Sequence, residues 1–328
     1  MSSSPFVHLH LHSQYSLLDG AIKINPLFER AKALNMPAVA LTDHGNLFGA
    51  VEFYERARSA GIKPILGCEV YLASGSRFSK EKREKDASGY DAINHLLLLA
   101  SNQTGYRNLV YLVSKAYLEG FYYKPRIDLD LLRERSEGLI ATSGCLSSMV
   151  SRAITGGQVQ EAWRLVEEFS GIFPDRFYLE LQRHGIGDQD RVNAELVKMS
   201  VDMGLPLLAT NDCHYLSQGD HEHHESLLCI GTGSTLEDPN HFKFDGQGFY
   251  LKSGDEMAEV FRDHPSALAN SLEIAERCEL DLGVDTGDYH LPDFQVPAGT
   301  TKNEVLEAAA WRGLRERLAA LKSDDPGW

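Results

Sequence analysis

The chain has 328 residues, 43% hydrophobic and 24% charged, which suits one large folded domain with an appendage and excludes a disordered or fibrous protein. Its net charge of −15 argues against a broad phosphate-binding face, because nucleic-acid affinity rests mainly on Lys and Arg displacing counterions. No basic and apolar leader opens the chain and no apolar run approaches the ~20 residues needed to cross a bilayer, so a cytoplasmic protein without a membrane partner is expected.

In chain order, Phe6–Leu11 reads as a strand that sets His8, His10 and His12 on one face, about 7 Å apart, with Asp19 just beyond its end. Further apolar runs predict strands over Pro37–Thr42, Lys63–Leu72, His95–Ala100, Gly138–Ser143, Arg176–Leu181 and Pro206–Asn211. Helical patterns separate them. One is expected from an Asn25 N-cap with Pro26 at the first position, another from Leu47 to a stop at Gly61. The others cover Thr104–Leu118, Leu146–Thr155, Val159–Ile172 and Asp190–Met203. Continuous apolar strands such as HLLLLA suit a parallel sheet covered on both faces. The repetition predicts an α/β fold, a distorted seven-stranded parallel β/α barrel, with an open doubly wound sheet as the alternative.

A barrel puts chemistry at the C-terminal ends of its strands. His10, His12, Asp43, His44, Glu69, Cys145, His184, Asp212 and His214 fall at or near such ends, whereas His95 stands at the start of a strand. Two loops stand out. Residues 74–91 form a mixed-charge insertion, expected to be a solvated loop. FYYKPRID, residues 121–128, interleaves aromatic rings with Lys124 and Arg126 and could receive a nucleotide's base and phosphate. His221, His223 and His224 are expected to open a polar helix, and His8 to serve as core or as support for its neighbours. The five cysteines are scattered and read as free thiols or ligands. Beyond about Val284 a Pro- and Gly-punctuated linker leads to a helix over Lys302–Leu321, introduced by Thr300 or Thr301, which is expected to continue into a longer protein.

His10, His12, Asp19, His44, Glu69, His95, Cys145, Asp212 and His214 are nine candidate ligands, too many for one ion and suited to two or three. Imidazole, carboxylate and thiolate together favour zinc or manganese, or iron, over magnesium and calcium.

The segments HLHSQYSLLDG, TDHGNLFG, GIKPILGCEVYL, GFYYKPRID, LIATSGCLSS, FYLELQRHG and LATNDCHYL occur in this order, and FYLKSGDEMAEVF and LPDF follow. Together they resemble the N-terminal PHP (polymerase and histidinol phosphatase) domain of bacterial replicative DNA polymerase III alpha subunits. The resemblance implies a seven-stranded barrel over residues 1–284 with a trinuclear metal centre on the nine residues above, the ligand role of Cys145 resting mainly on the family motif. It implies that residues 285–328 are a linker and first helix leading to a polymerase core, whose own carboxylates lie outside this chain. The implied activity is metal-dependent phosphodiester hydrolysis, as a 3′–5′ exonuclease on a DNA 3′ end or primer strand. In that chemistry His184 would bind phosphate or protonate the leaving group, and Lys124 and Arg126 would neutralise phosphate. The implied partners are the rest of the polymerase and, through the full-length chain, a separate exonuclease subunit and a sliding clamp. A metal-stapled interaction module and a pyrophosphatase or phosphomonoesterase remain as alternatives.

Overall fold

Six of the seven apolar runs become strands, one of them reversed in direction, while the first run forms only isolated bridges and a short unexpected strand arises within residues 121–128. The computed structural model describes residues 4–80, 93–284 and 292–324. The outer part of the charged loop, residues 81–91, and residues 285–291 of the linker lie outside the described residues. The strands are β1 (Ala38–Leu41), β2 (Lys63–Ala73), β3 (Ile93–Ala100), β4 (Arg126–Ile127), β5 (Leu139–Thr142), β6 (Phe177–Leu181) and β7 (Leu207–Ala209). Their order in the sheet is β1-β2-β3-β5-β6-β7, with β4 paired to β2. The expected parallel sense holds for β1 with β2, β5 with β6 and β6 with β7. It fails at β3, which runs antiparallel to both β2 and β5. A parallel return needs a crossover, usually helical, and no helix among the described residues lies between β2 and β3. The reversal places the start of β3 beside the far end of β2, with His95 opposite Tyr71. It thereby brings His95 to the same rim as the C-terminal ends of the other strands.

The N-terminal segment, expected as a strand, is extended but joins the sheet only through isolated bridges. It bridges His8 to Val39 on one side and Leu11 to Cys213 on the other, both parallel. Backbone bonds from Ala40 N to His8 O (2.9 Å), Thr42 N to Leu11 O (3.0 Å), Cys213 N to His10 O (3.1 Å) and His12 N to Cys213 O (2.8 Å) close the ring between β1 and the chain after β7. Inside it lies an apolar layer of Leu9, Ala40, Ile65, Leu99, Ile140, Tyr178 and Leu208, all buried. Because side chains alternate along a strand, the next inward positions toward the rim are Thr142, Glu180 and Thr210.

Helices α1 (Ile24–Ala33), α2 (Ala50–Ala60), α3 (Gln103–Leu118), α4 (Leu129–Glu134), α5 (Met149–Thr155), α6 (Val159–Ile172), α7 (Gly187–Met203), α8 (His221–Thr232), α9 (Gly254–Val260) and α10 (Pro265–Arg277) complete the unit Met1–Leu282. Local chemistry explains several boundaries. Asn102, Asp128 and Ser148 accept backbone N–H groups at the starts of α3, α4 and α5, and Gly61 ends α2 in the left-handed region at φ 71°. The first helix starts one residue before the expected Asn25 cap, with Lys23 preceding it and no side-chain cap. Pro26 is tolerated within the first turn, where backbone N–H groups have no intrahelical partner anyway. In the second unit, Gly283–Trp328, α11 (Lys302–Asp324) begins with Thr301 and Glu304 bonding each other's backbone N–H.

Candidate metal centre

Every one of the nine candidate ligands sits in a single cluster at the rim. His10 and His12 come from the N-terminal segment, Asp19 from the turn after it, and His44 from the end of β1. Glu69 lies within β2, His95 at the start of β3, Cys145 after β5, and Asp212 and His214 after β7. Glu69 is the hub. Its Oε1 is 3.4 Å from His10 Nε2 and 3.4 Å from Cys145 Sγ, and its Oε2 is 2.6 Å from His44 Nδ1 and 3.0 Å from His95 Nδ1. Asp212 Oδ1 stands 3.2 Å from His10 Nε2 and 3.1 Å from His12 Nε2, while Asp19 Oδ2 is 2.7 Å from His44 Nε2 and 3.8 Å from His214 Nε2. The His12 ring stacks against those of His44 and His214 at 4.0 and 4.4 Å.

Apart from the Cys145 thiol, which donates to Glu69 Oε1, most of this proximity is not hydrogen bonding. His10 Nε2, His12 Nε2, Asp19 Oδ1, His44 Nδ1, Glu69 Oε2, Asp212 Oδ1 and His214 Nε2 are buried and have no partner of acceptable geometry. An unpaired buried polar atom costs about 1–3 kcal/mol, so seven in one place would be ruinous unless something else satisfies them. A divalent cation does so. Ligands about 2.1 Å from a tetrahedral ion lie about 3.4 Å from one another, close to the separations seen. Three overlapping triads have ligand atoms mutually within 4.8 Å: His12, His44 and His214; His10, His12 and Asp212; His44, Glu69 and His95.

The surrounding bonds set the tautomers. His10 Nδ1 donates to Glu180 Oε1 at 2.7 Å, and His214 Nδ1 donates to the Asp212 carbonyl oxygen at 2.9 Å, so each presents its Nε2 lone pair to the cluster. Glu180 is itself fixed by the hydroxyls of Thr142 and Thr210 and by Gln182. His12 Nδ1 meets Ser16 Oγ at 3.1 Å, and Ser16 Oγ donates to Asp43 at 2.7 Å. Asp43 also accepts from Ser13 N and Ser13 Oγ, so it ties the Ser13–Ser16 turn to β1. Glu180 and Ser16 were not singled out by sequence, since a Glu inside FYLEL and a Ser in a turn carry no distinguishing pattern. Leu18 (φ 62°) and Asp212 (φ 44°) both occupy the left-handed region, a conformational cost concentrated at the cluster.

The electrostatics are those of interleaved charges. Burial favours the neutral form of His10 and His44, but neighbouring carboxylates outweigh it and hold His10 well above its usual range and His44 up to about 10. Burial, reinforced by His44 and His214, pushes His12 down to about 3. Burial likewise favours the neutral acids, yet the surrounding imidazoles hold Asp19, Glu69 and Asp212 below the usual carboxylate range. Burial and then the neighbouring carboxylates raise the Cys145 thiol. Such a set is ready to exchange protons for cations.

The other expected residues lie apart from the cluster. Half-buried His184 stacks on Phe249 at 3.8 Å. Its Nε2 donates to Asn211 O (3.1 Å) and its Nδ1 accepts from Gln189 Nε2 (2.8 Å). Both nitrogens are thus engaged within the chain. Arg126 departs from expectation. Its guanidinium turns inward to the backbone oxygens of Gly120, Arg77 and Ser79, so it fastens the loop instead of facing phosphate. Lys124 is exposed, with Nζ 5.3 Å from the Tyr71 ring centroid. Tyr71 in turn lies against His44 and His95 at 6.0 and 5.3 Å. His221 and His223 lie at the exposed start of α8, and His224 bonds to the Asp19 backbone oxygen at 2.7 Å. His8 is core, held by the Lys252 oxygen and Cys213 Sγ. Within the charged loop, Arg77 pairs with Glu119 and Asp128, so its base is anchored where a solvated loop was expected.

A family profile described as "PHP domain" matches residues 8–184. The DNA polymerase III subunit alpha of Borreliella burgdorferi is 48% identical over 98% of this chain, and that of Saccharopolyspora erythraea is 45% identical over 97%. The chain spans about 28% of the length of these relatives. A two-domain protein of Bacteroides vulgatus, described as containing a PHP-like metal-dependent phosphoesterase, matches 79% of this chain and 64% of its own at 15% identity. The two structures superpose with a TM-score of 0.40.

Proposed function

The chain belongs to the PHP domain family, and from that premise we propose that it is a metal-dependent phosphoesterase acting as a 3′–5′ exonuclease on a DNA 3′ end. The observation that carries the reading is the convergence of seven unpartnered buried ligand atoms on one rim cluster. His10, His12, Asp19, His44, Glu69, His95, Cys145, Asp212 and His214 would hold two or three divalent ions, zinc or manganese, with iron also compatible with the donor set. When bound, the ions supply Lewis-acid chemistry on water and on a phosphoryl group. The chain's residues do the rest. Glu180 and the Asp212 carbonyl orient His10 and His214, the Asp43–Ser16 pair orients His12, and exposed Lys124 meets an approaching phosphate at the rim. With its nitrogens occupied, His184 is given no proton transfer in this scheme.

The relatives named above are replicative polymerase subunits, which supports placing the domain beside a polymerase in the cytoplasm. On that reading residues 1–284 are the phosphoesterase domain, residues 285–328 lead toward a polymerase core, and an exonuclease subunit and sliding clamp bind elsewhere on the full-length protein.

The test is hydrolysis of a labelled single-stranded oligonucleotide with manganese or zinc, beside Asp19→Asn. Stepwise loss of 3′ nucleotides by the parent and none by the variant is expected. Equal activity in the two would overturn the assignment. Metal bound by the parent without hydrolysis would favour the metal-stapled interaction module, which the burial of the cluster also suits.

A further inference from the structure

Beside the rim cluster lies a group of aromatic rings that the fold leaves uncovered. Phe48, four residues beyond His44, is 59% exposed, and Tyr117, Phe121 and Tyr123 are 40%, 49% and 72% exposed. The rings of Phe48 and Tyr117 are 6.4 Å apart and those of Tyr117 and Phe121 are 6.2 Å apart, the latter pair stacked at 28°. The loop that carries two of them is stiff. The inward Arg126 bonds and the close approach of Gly120 to Arg126 O fix it, and Tyr123 is held at φ 60°, a costly conformation for a bulky residue. Lys124 forms no ion pair among the described residues, whereas nearby Arg77 and Lys115 are already paired with Glu119 or Asp128. Tyr71 links Lys124 to His44 and His95.

Taking the phosphoesterase reading as its premise, we propose that Phe48, Tyr117, Phe121 and Tyr123 form a stacking shelf for the unpaired bases of a single nucleic-acid strand, with Lys124 meeting the phosphate next to the metal cluster. The chain's charge argues for this division of labour. A protein of net charge −15 cannot hold a strand chiefly by neutralising its phosphates, but base–aromatic stacking needs no cations. Affinity then comes from the bases, and the Lys124 ammonium and the cluster set the register of the backbone. A duplex end would have to fray before its bases could reach the shelf, so the arrangement favours single-stranded or mispaired ends.

The test is fluorescence anisotropy in EDTA, with labelled oligothymidylate compared with an abasic oligomer of the same length and charge. The parent is expected to bind oligothymidylate at least about tenfold more tightly, and Phe121→Ala or Phe48→Ala to lose about tenfold each for oligothymidylate alone. Equal binding of the two oligomers by the parent, or of oligothymidylate by parent and variants, overturns the shelf and leaves the rings to a protein partner. Manganese-dependent hydrolysis of methyl p-nitrophenyl phosphate by the parent separately tests the phosphoesterase reading. Its absence removes that reading, while the binding comparison still decides the shelf.

Discussion

Glu180 illustrates how much of the centre rests on a side chain that touches it only through another. Its carboxylate accepts the His10 Nδ1–H at 2.7 Å and is held by two threonine hydroxyls and Gln182. Glu180→Gln can offer an amide where the imidazole needs an acceptor, so metal affinity should fall about 10–100-fold, measured by competition with a chromophoric chelator. Denaturant stability in EDTA should change much less, since the packing volume is kept. His184 makes a different prediction. Burial, aided by the Lys252 charge, lowers it to about 4, so the native ring stays neutral at pH values where the unfolded chain is protonated. Below about pH 6.5 the unfolded state therefore binds more protons, and stability falls as pH drops toward 4. Unfolding free energies of His184→Gln, obtained from urea titrations between those limits, should show a pH slope shallower by about 1.4 kcal/mol per unit.

At the scale of elements, β3 shows what sequence could and could not carry. The run INHLLLLA is legible as a buried strand, but its direction depends on how the chain returns from β2, and that connection has no periodic signature. The same reversal accounts for His95, which the run pattern leaves at the wrong end of a strand. Most of the nine clustered residues are legible because His, Asp and Glu are out of place at or near apolar strand ends, whereas the ligand role of Cys145 rests mainly on the family motif. Arg126 was misread because a charged residue in a loop looks the same whether its guanidinium faces water or backbone carbonyls. The loop it fastens turns at Gly120, where an added Cβ would sit 1.8 Å from Arg126 O. Gly120→Ala should therefore cost about 1–3 kcal/mol in denaturant unfolding and displace Lys124 and the neighbouring aromatic rings. Tyrosine fluorescence would register that displacement.

For the whole molecule, the ring is closed at the N-terminal segment by isolated bridges and a few backbone bonds. Ligands stand on both sides of that seam, His10 and His12 on the segment, His44 after β1, and Asp212 and His214 after β7. Bound cations would cross-link it. Cation at about 1,000 times its dissociation constant adds roughly 4 kcal/mol, so chelation should lower the thermal midpoint by on the order of 10 °C. Amide exchange should quicken first over residues 8–13. A chelated protein that melts unchanged would show that the seam holds without metal.

The same seam sets a schedule for synthesis. Cys213 meets His8 across 205 positions, so during synthesis the His8 segment waits for a much later part of the chain before its neighbours are complete. At about 5–20 residues per second that wait is roughly ten to forty seconds, during which His10, His12 and Asp19 have no Asp212 or His214 to complete their set. A nascent chain can hold a cation only loosely until then. Full metal occupancy thus becomes a chemical receipt that the first and last walls of the barrel have met.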